Sequence, residues 1–251
     1  MRKSLLFIML CACISLQAQA ADQGVTWVAS TSVQSEYLGR IGPIFSEDPI
    51  SVNFVEVGYK GFYGGIWNST SLGGSKYGTT YGDEWDVYGG WAHKFGPFKL
   101  DLSASYFTLA QLNKISDDMW IAEQELSIPG MPFVQPYIRA RYFGSVDDYW
   151  RSGWFVFGGL RKSVPFGHSF ASRPFSLNID VSTAYAAGGI RDFTGFVKGR
   201  LTTSLDIPLS KRVTLSPNLI YQVAAPGQRN DPNGFVKGND LVYGLSLKWI
   251  F

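Results

Sequence analysis

The last eleven residues of the chain, LVYGLSLKWIF, alternate between apolar and small or polar side chains. One set of alternating positions is apolar and ends in aromatic residues, and the other includes Gly244, Ser246 and Lys248. Because successive side chains of a β-strand point to opposite faces, this period of two predicts a strand with one lipophilic face. Such a strand suits a barrel that has lipid outside and a packed or wet lumen inside.

A half-buried strand of a soluble sandwich is the alternative interpretation of this alternation. That fold does not need an aromatic as the very last residue, whereas a terminal Phe after alternating apolar positions resembles the sorting signal of bacterial barrels. The barrel-assembly machinery that reads this signal is therefore an expected partner. The residues that carry the expected signal are Tyr243, Leu245, Leu247, Trp249 and Phe251.

The same alternation recurs along the chain and predicts twelve strands. Aromatic residues make up 16% of the chain and charged residues only 17%, against about 25% in a soluble domain. No stretch after the first twenty residues is apolar for 18 positions, so membrane helices are not expected. The expected fold is all-β, a 12-stranded antiparallel up-and-down transmembrane β-barrel. The predicted strands are 24–36, 50–59, 62–69, 83–95, 98–107, 118–128, 133–144, 152–163, 174–185, 194–207, 212–223 and 240–251.

The predicted connections alternate in length, which gives an orientation. Bacterial barrels have short periplasmic turns and longer outer loops. The even-numbered connections are tight except the eighth, 164–175, and the odd-numbered ones are longer and polar. Pro136 and Pro217 fall inside predicted strands although a closed barrel has no edge for proline, so a bulge near each proline and a misplaced strand are both open interpretations.

Residues 1–20 have the layout of a cleaved secretory signal peptide. Arg2 and Lys3 precede a short apolar stretch, and Ala18-Gln19-Ala20 ends it. A retained anchor is disfavoured because a span needs about 20 apolar residues, and a lipoprotein site at Cys13 would cut the apolar region short. The barrel is then residues 21–251 and lies in the cell outer membrane, with outer-membrane lipids and lipopolysaccharide as its surroundings.

Removing the signal peptide also removes both cysteines and the net charge. Cys11 and Cys13 are the only cysteines, so disulfides and thiolate metal sites are not expected, and no other metal-ligand cluster or cofactor motif stands out. Without Arg2 and Lys3 the 22 basic residues become 20, which equals the 20 acidic ones. A neutral chain gives no electrostatic case for nucleic acid.

Eight charged residues on adjacent predicted strands are expected to face the lumen. In a structural interpretation they form a salt-bridge network that fills it. In a functional interpretation they form an acidic and a basic wall of a narrow pore that selects charged solutes. Twelve strands lie between the filled eight-stranded and the open sixteen-stranded barrels, so both remain open. The residues are Asp101, Glu123, Glu125, Arg139, Arg141, Asp180, Lys198 and Arg200.

Other candidate side chains are weaker. His93 is expected on the outward face and His168 in the eighth connection, so neither offers the general base of a lipid-modifying hydrolase. The acidic residues predicted for the loops could bind a divalent ion or bridge lipopolysaccharide, but solvated charge is the favoured interpretation; they are Asp117, Asp118, Asp147, Asp148, Asp231 and Asp240. Aromatics predicted to face inward, with packing or sugar stacking as roles, are Tyr88, Tyr137, Phe143 and Phe196.

Two segments resemble a family of small bacterial outer-membrane porins of the TorF type. Residues 61–67 read GFYGGIW and residues 83–91 read DEWDVYGGW. The resemblance implies a small barrel without catalytic residues. The expected function is therefore a channel for passive diffusion of small polar or charged solutes. A non-conducting structural or surface-interaction barrel and a lipid-modifying enzyme are the alternatives.

Overall fold

The chain forms a closed barrel of long antiparallel strands. The structure, a computed structural model, describes residues 24–42, 44–73, 83–108, 118–146, 151–167, 173–190, 193–230, 236 and 238–251. The strands are β1 (Val25–Gln34), β2 (Tyr37–Leu38), β3 (Ile44–Ser46), β4 (Ile50–Tyr59), β5 (Phe62–Ser71), β6 (Glu84–Phe95), β7 (Phe98–Thr108), β8 (Met119–Ser127), β9 (Gln135–Ser145), β10 (Arg151–Phe166), β11 (Phe175–Ile190), β12 (Thr194–Pro208), β13 (Val213–Ala224) and β14 (Asn239–Ile250). One short helix, α1 (Pro226–Asn230), lies between β13 and β14. In the described part of the chain, no helix has the length and apolar character needed to cross a membrane.

Twelve strands close the barrel, as the alternation predicts. Each strand from β4 to β13 pairs with the next one in the chain, and β1 pairs with both β4 and β14. The remaining pair, β2 and β3, is a separate hairpin in the connection between β1 and β4. The predicted strand ends lie within a few residues of the observed ones. The sequence did not predict this hairpin, which lies in a connection expected to be a polar outer loop.

The outward face of the barrel carries the large apolar side chains. On β14, Leu241, Tyr243 and Leu245 are about half exposed, while Val242 between them is buried. Trp85 and Trp154, on other strands of the barrel, are likewise exposed. A surface this rich in exposed apolar groups suits a lipid environment.

The outward face also has a polar patch and a groove. At one end of β1, β4 and β5, Thr31 Oγ1 donates to Asn53 Oδ1 at 2.7 Å, which satisfies both groups without water.

On β6, β7 and β8, the cross-strand partners Gly89, Ala104 and Ala122 leave a groove of about 480 Å³ on the outer wall. The small side chains explain this groove, which is separate from the lumen.

Both questioned prolines remain inside their strands. Pro136 is the second residue of β9, where its carbonyl accepts from the Ile128 N–H at 3.1 Å and its missing N–H is tolerated at the end of the ladder. Pro217 lies where the pairing of β12 with β13 is interrupted between the Ser204–Asn218 and Ile207–Leu215 pairs. The register is the same on both sides, so the interruption is a local gap. Neither proline therefore lies at a bulge, and both strands lie where the alternation predicts them.

A bulge does occur on β12 and corrects one predicted orientation. Ala184 pairs with Lys198 and Tyr185 with Phe196, so Val197 is an extra residue on β12. The bulge reverses the facing of the residues before it. Phe196 therefore points outward, with 61% of its surface exposed, and its predicted inward position is wrong.

The eighth connection is shorter than predicted. β10 continues to Phe166 and β11 begins at Phe175, so only residues 167–174 join them. The Phe166–Phe175 pair ends the ladder, and Gly167 has a φ of +64° that suits the start of a turn. Within this connection His168 lies outside the described residues.

The glycine and tyrosine motifs of β5 and β6 pack against each other. Tyr63 pairs with Gly90 and Tyr88 with Gly65, and each ring covers the glycine opposite. A Cβ on Gly90 would lie 2.5 Å from the Tyr63 ring, and one on Gly65 would lie 2.7 Å from the Tyr88 hydroxyl. The two motifs are thus one packing unit on the inner wall, because only glycine leaves room for the rings.

Candidate channel lumen

Inward-facing arginines and glutamates of β8 and β9 form a ladder of ion pairs. The register places Glu123 opposite Arg141 and Glu125 opposite Arg139, all on the inner face. Arg141 Nε donates to Glu123 at 2.5 Å, and Arg139 Nε donates to Glu125 at 3.0 Å. A further contact of 3.4 Å joins Arg139 to Glu123, so the two rungs are connected.

The ladder continues onto β10 and β11 through Arg161. Its guanidinium donates to both oxygens of Glu125, at 2.7 and 3.0 Å, and to Asp180 at 2.9 Å. The same guanidinium lies 3.7 Å from the ring centroid of Tyr137, whose hydroxyl donates to Asp180 at 3.1 Å. Charge-assisted and two-pronged contacts of this kind hold both partners firmly. Arg161 was missed as a site residue, because apolar residues stand on both faces of this strand and the sequence leaves its facing unclear.

Asp101 belongs to a smaller group on the same inner wall. It accepts from the Tyr63 hydroxyl at 2.5 Å and from Lys99 Nζ at 3.3 Å. Lys99 and Asp101 are both partly open to water. This pair is therefore weaker than the ladder on β8 to β11.

Lys198 and Arg200 contact the backbone of an inward-folded segment. We call residues 35–49, which join β1 to β4 and include the β2–β3 hairpin, the inner loop. Lys198 Nζ donates to the Arg40 carbonyl, and Arg200 Nη2 donates to the Gly39 carbonyl at 2.7 Å. The inner loop is therefore held inside the barrel by two cations of β12.

Gln222 on β13 adds a third attachment. Its Nε2 donates to the Gly42 carbonyl at 2.7 Å and to Asp240 at 2.9 Å, and its Oε1 accepts from Arg200 at 2.8 Å. Gln222 is fully buried. Every polar atom of this amide group is thus used to fix the inner loop to the wall.

Apolar contacts complete the attachment of the inner loop. Ile41 is 3% exposed and packs with buried residues that face inward from the strands. Its partners include Ile121, Phe143, Phe155 and Phe157, together with Phe193 and Val236 from other connections. One side of the lumen is therefore filled at this level, and the passage is narrowed there.

A buried acidic pair lies on the opposite wall. Tyr37 of the inner loop donates its hydroxyl to Glu84 on β6, and its ring lies 5.8 Å from that of Trp67. Burial, and then the nearby charge of Glu84, raise the pKa of Tyr37 well above its ordinary value, so the hydroxyl remains a donor. Glu84 and its neighbour Asp86 are only 1% and 6% exposed.

Polar, open space remains elsewhere in the lumen. A cavity of about 230 Å³ lies along β9 to β12. Arg161 and Asp180 border it and keep 34% and 27% of their side-chain surfaces exposed. Other polar residues that line it are Gln135, Ser163, Asn178, Thr202 and Ser204.

Several predicted candidates have other roles. His93 stacks on Trp91 at 5.3 Å with the rings nearly parallel, on the outward face. Asp118 is buried and accepts from the Tyr106 hydroxyl at 2.8 Å, so the prediction of solvated loop charge is wrong for this residue. Asp240 is partly exposed and also accepts from Gln222. The other four acidic loop residues, 117, 147, 148 and 231, lie outside the described residues. Across the described ranges, no group of three or more potential ligands could hold a metal ion.

The fold is that of the outer-membrane barrels. No protein-family model matches the sequence, and no curated protein matches it. The chain is similar to the KdgM porin, with 10% identity and a TM-score of 0.54 over 90% of this chain and 99% of that one. It is similar to the NanC porin, with 10% identity and a TM-score of 0.55 over 89% and 98%. It is also similar to an outer membrane channel from Pseudomonas putida F1, with 12% identity and a TM-score of 0.50 over 91% and 96%.

Proposed function

We propose that this chain is an outer-membrane channel for passive diffusion of small polar or charged solutes. The observation that carries the proposal is the division of the closed barrel into an apolar outer face and a charged, partly open inner face. Lipid outside and water inside is the arrangement that such a division serves. The likeness of the fold to porins agrees with this proposal. So does the resemblance of the sequence motifs at 61–67 and 83–91 to the TorF type.

The inner loop sets the size of the passage. It occupies part of the lumen beside β12 and β13 and leaves polar space along β9 to β11. Solutes would therefore pass along a wall of paired charges. No turnover is involved, because diffusion past this wall needs no reacting group.

Proteoliposomes test this function directly. Vesicles that contain the refolded protein are expected to swell in an isotonic monosaccharide solution, and more slowly as the sugar becomes larger. Vesicles with the same protein left unfolded are the control. Folded, heat-modifiable protein that gives no swelling with any solute would contradict the proposal.

A closed structural barrel is the second candidate. It is favoured by the apolar cluster around Ile41, Phe155 and Phe157, which fills one side of the lumen. In that case the paired charges complete the filling, and interactions fall to the outer loops. The swelling experiment separates the two candidates.

We propose further that the C-terminal strand is read by the barrel-assembly machinery during insertion among outer-membrane lipids and lipopolysaccharide. Phe251 closes the seam, because its N–H donates to Trp27 at 2.9 Å and its carbonyl accepts from Trp27 at 3.1 Å. A change at this residue thus affects the pairing of the C-terminal strand, β14, with β1.

Phe251→Ala is expected to lower the amount of folded barrel in the outer membrane severalfold. The substitution keeps both backbone hydrogen bonds and removes only the aromatic ring, so refolding in detergent should be nearly normal. Phe251→Tyr, which keeps the ring, is the matched control. If Phe251→Ala reaches the outer membrane in wild-type amounts, the proposal that the assembly machinery reads this residue is wrong. If the variant fails to refold in detergent, the residue has a structural role instead.

A further inference from the structure

The charged side chains at the level of the inner loop differ in their exposure, and so in whether a solute can reach them. The acidic residues Glu84 and Asp86 are buried, as is Lys198 with 2% of its surface exposed. Arg40 of the inner loop is exposed, and Arg200 is partly exposed. The guanidinium groups of Arg40 and Arg200 therefore stay within reach of a solute while Glu84, Asp86 and Lys198 do not, and Asp240, which is partly exposed, already accepts from Gln222.

Arg40 extends into the lumen from the tip of the inner loop. The contacts of Lys198 with the Arg40 carbonyl and of Arg200 with the Gly39 carbonyl hold it near β12, close enough for its charge to act on Arg200, Arg141, Glu84 and Asp86. Within the described chain, its guanidinium has no hydrogen bond and no ion pair. A free guanidinium with five donors therefore faces the passage.

Arg200 has an unused donor beside it. One nitrogen of its guanidinium is engaged by Gly39 and Gln222, at 2.7 and 2.8 Å. Its Nε is buried and has no partner in the described structure. Such a donor is costly to leave unpaired, so its burial next to a second guanidinium points to an acceptor that the protein itself does not supply.

We propose that Arg40 and Arg200 form an anion site in the lumen that binds small oxyanions, carboxylates or phosphates. The site rests on the proposed channel function and names the class of solute that the passage favours. A guanidinium presents two parallel N–H groups that match the two oxygens of such an anion one to one, whereas both N–H groups must share the single atom of chloride. The ladder on β8 to β11 does not compete, because its arginines already bond to glutamates.

Titration calorimetry on the folded, detergent-solubilised protein tests the site without requiring conduction. The probes are potassium citrate and potassium phosphate. Arg40→Gln is expected to weaken binding of both at least tenfold, and Arg40→Lys should weaken it too, because an ammonium keeps the charge without the two-pronged geometry. The matched control is Lys60→Gln, which removes an exposed cation that lies over the Tyr59 ring in the turn between β4 and β5 and should leave binding unchanged.

Bilayer recordings in a potassium chloride gradient supply the second readout. The reversal potential of wild-type protein should show preference for the anion, and Arg40→Gln should reduce that preference severalfold. Citrate should reduce the chloride current of the wild type but not of Arg40→Gln. Binding of citrate without phosphate, or the reverse, would identify which oxyanion the site takes.

The outcomes separate the site from the channel. Two results would overturn the anion site and leave the channel standing. One is conductance steps that are selective for potassium, and the other is equal affinity of wild type and Arg40→Gln for citrate and phosphate. Absence of steps together with probe binding that depends on Arg40 would overturn the channel and leave the site standing. Loss of folding in Arg40→Gln is not expected, because its side chain has no bond to any other described residue.

Discussion

Gly42→Leu is expected to increase the single-channel conductance severalfold. Gly42 has a φ of +127°, and a Cβ at this position would lie 2.4 Å from Val236. A leucine therefore cannot fit while the Gly42 carbonyl stays bonded to Gln222. The inner loop should leave its place in the lumen and widen the passage, which planar-bilayer recordings would measure.

The matched control is Gly96→Leu. Gly96 also has a positive φ, +59°, but a Cβ there meets open space in the turn between β6 and β7. Both variants carry the backbone cost of a side chain at positive φ, and only one has the steric conflict. Equal conductance of Gly42→Leu and wild type, with both proteins folded, would show that the inner loop does not narrow the passage.

Glu125→Gln is expected to lower the free energy of unfolding by about 3 kcal/mol, the low end for breaking a buried ion pair, because Arg139 and Arg161 lose their shared charge and keep only Glu123 and Asp180 as partners. Glu125 is the acceptor shared by Arg139 and Arg161, and its side chain is only 12% exposed. The loss should appear as a lower midpoint in denaturant unfolding of the refolded protein.

Lys99→Gln removes one partner of an ion pair that is more open to water. Exposed pairs contribute at most about 1 kcal/mol, so this control should unfold close to the wild type. Measuring the reversal potential of Glu125→Gln distinguishes the two interpretations of the inward charges. Lower stability with unchanged selectivity would assign the ladder a structural role, and changed selectivity with unchanged stability would make it part of the filter.

The barrel was predictable because its strands have one environment on each side. Lipid on one face and polar groups on the other produce the strict alternation seen on β7 and β14, and this alternation also gives the facing of Arg139 and Arg141. The bulge at Val197 was not predictable, because the inserted residue is apolar like its neighbours and hides the change of phase. Phe196 was therefore assigned to the wrong face.

The inner loop could have been suspected from its composition but not placed. Its sequence, YLGRIGPIFSEDP from Tyr37 to Pro49, is too apolar for a solvated loop. The positions of Ile41 and Arg40 in the fold depend on partners that are distant in sequence, such as Gln222 and Val236. No local sequence pattern encodes such contacts. The site around Arg40 and Arg200 therefore follows from the fold, whereas the ladder on β8 and β9 follows from the pattern of the strands.

Single-channel recording of the purified, refolded wild-type protein in a planar bilayer tests the central proposal most directly. A polar passage narrowed by the inner loop predicts stable, uniform steps that are smaller than those of Gly42→Leu. A folded, heat-modifiable barrel that inserts into the bilayer and gives no steps would contradict a channel and leave the structural barrel as the function of this fold.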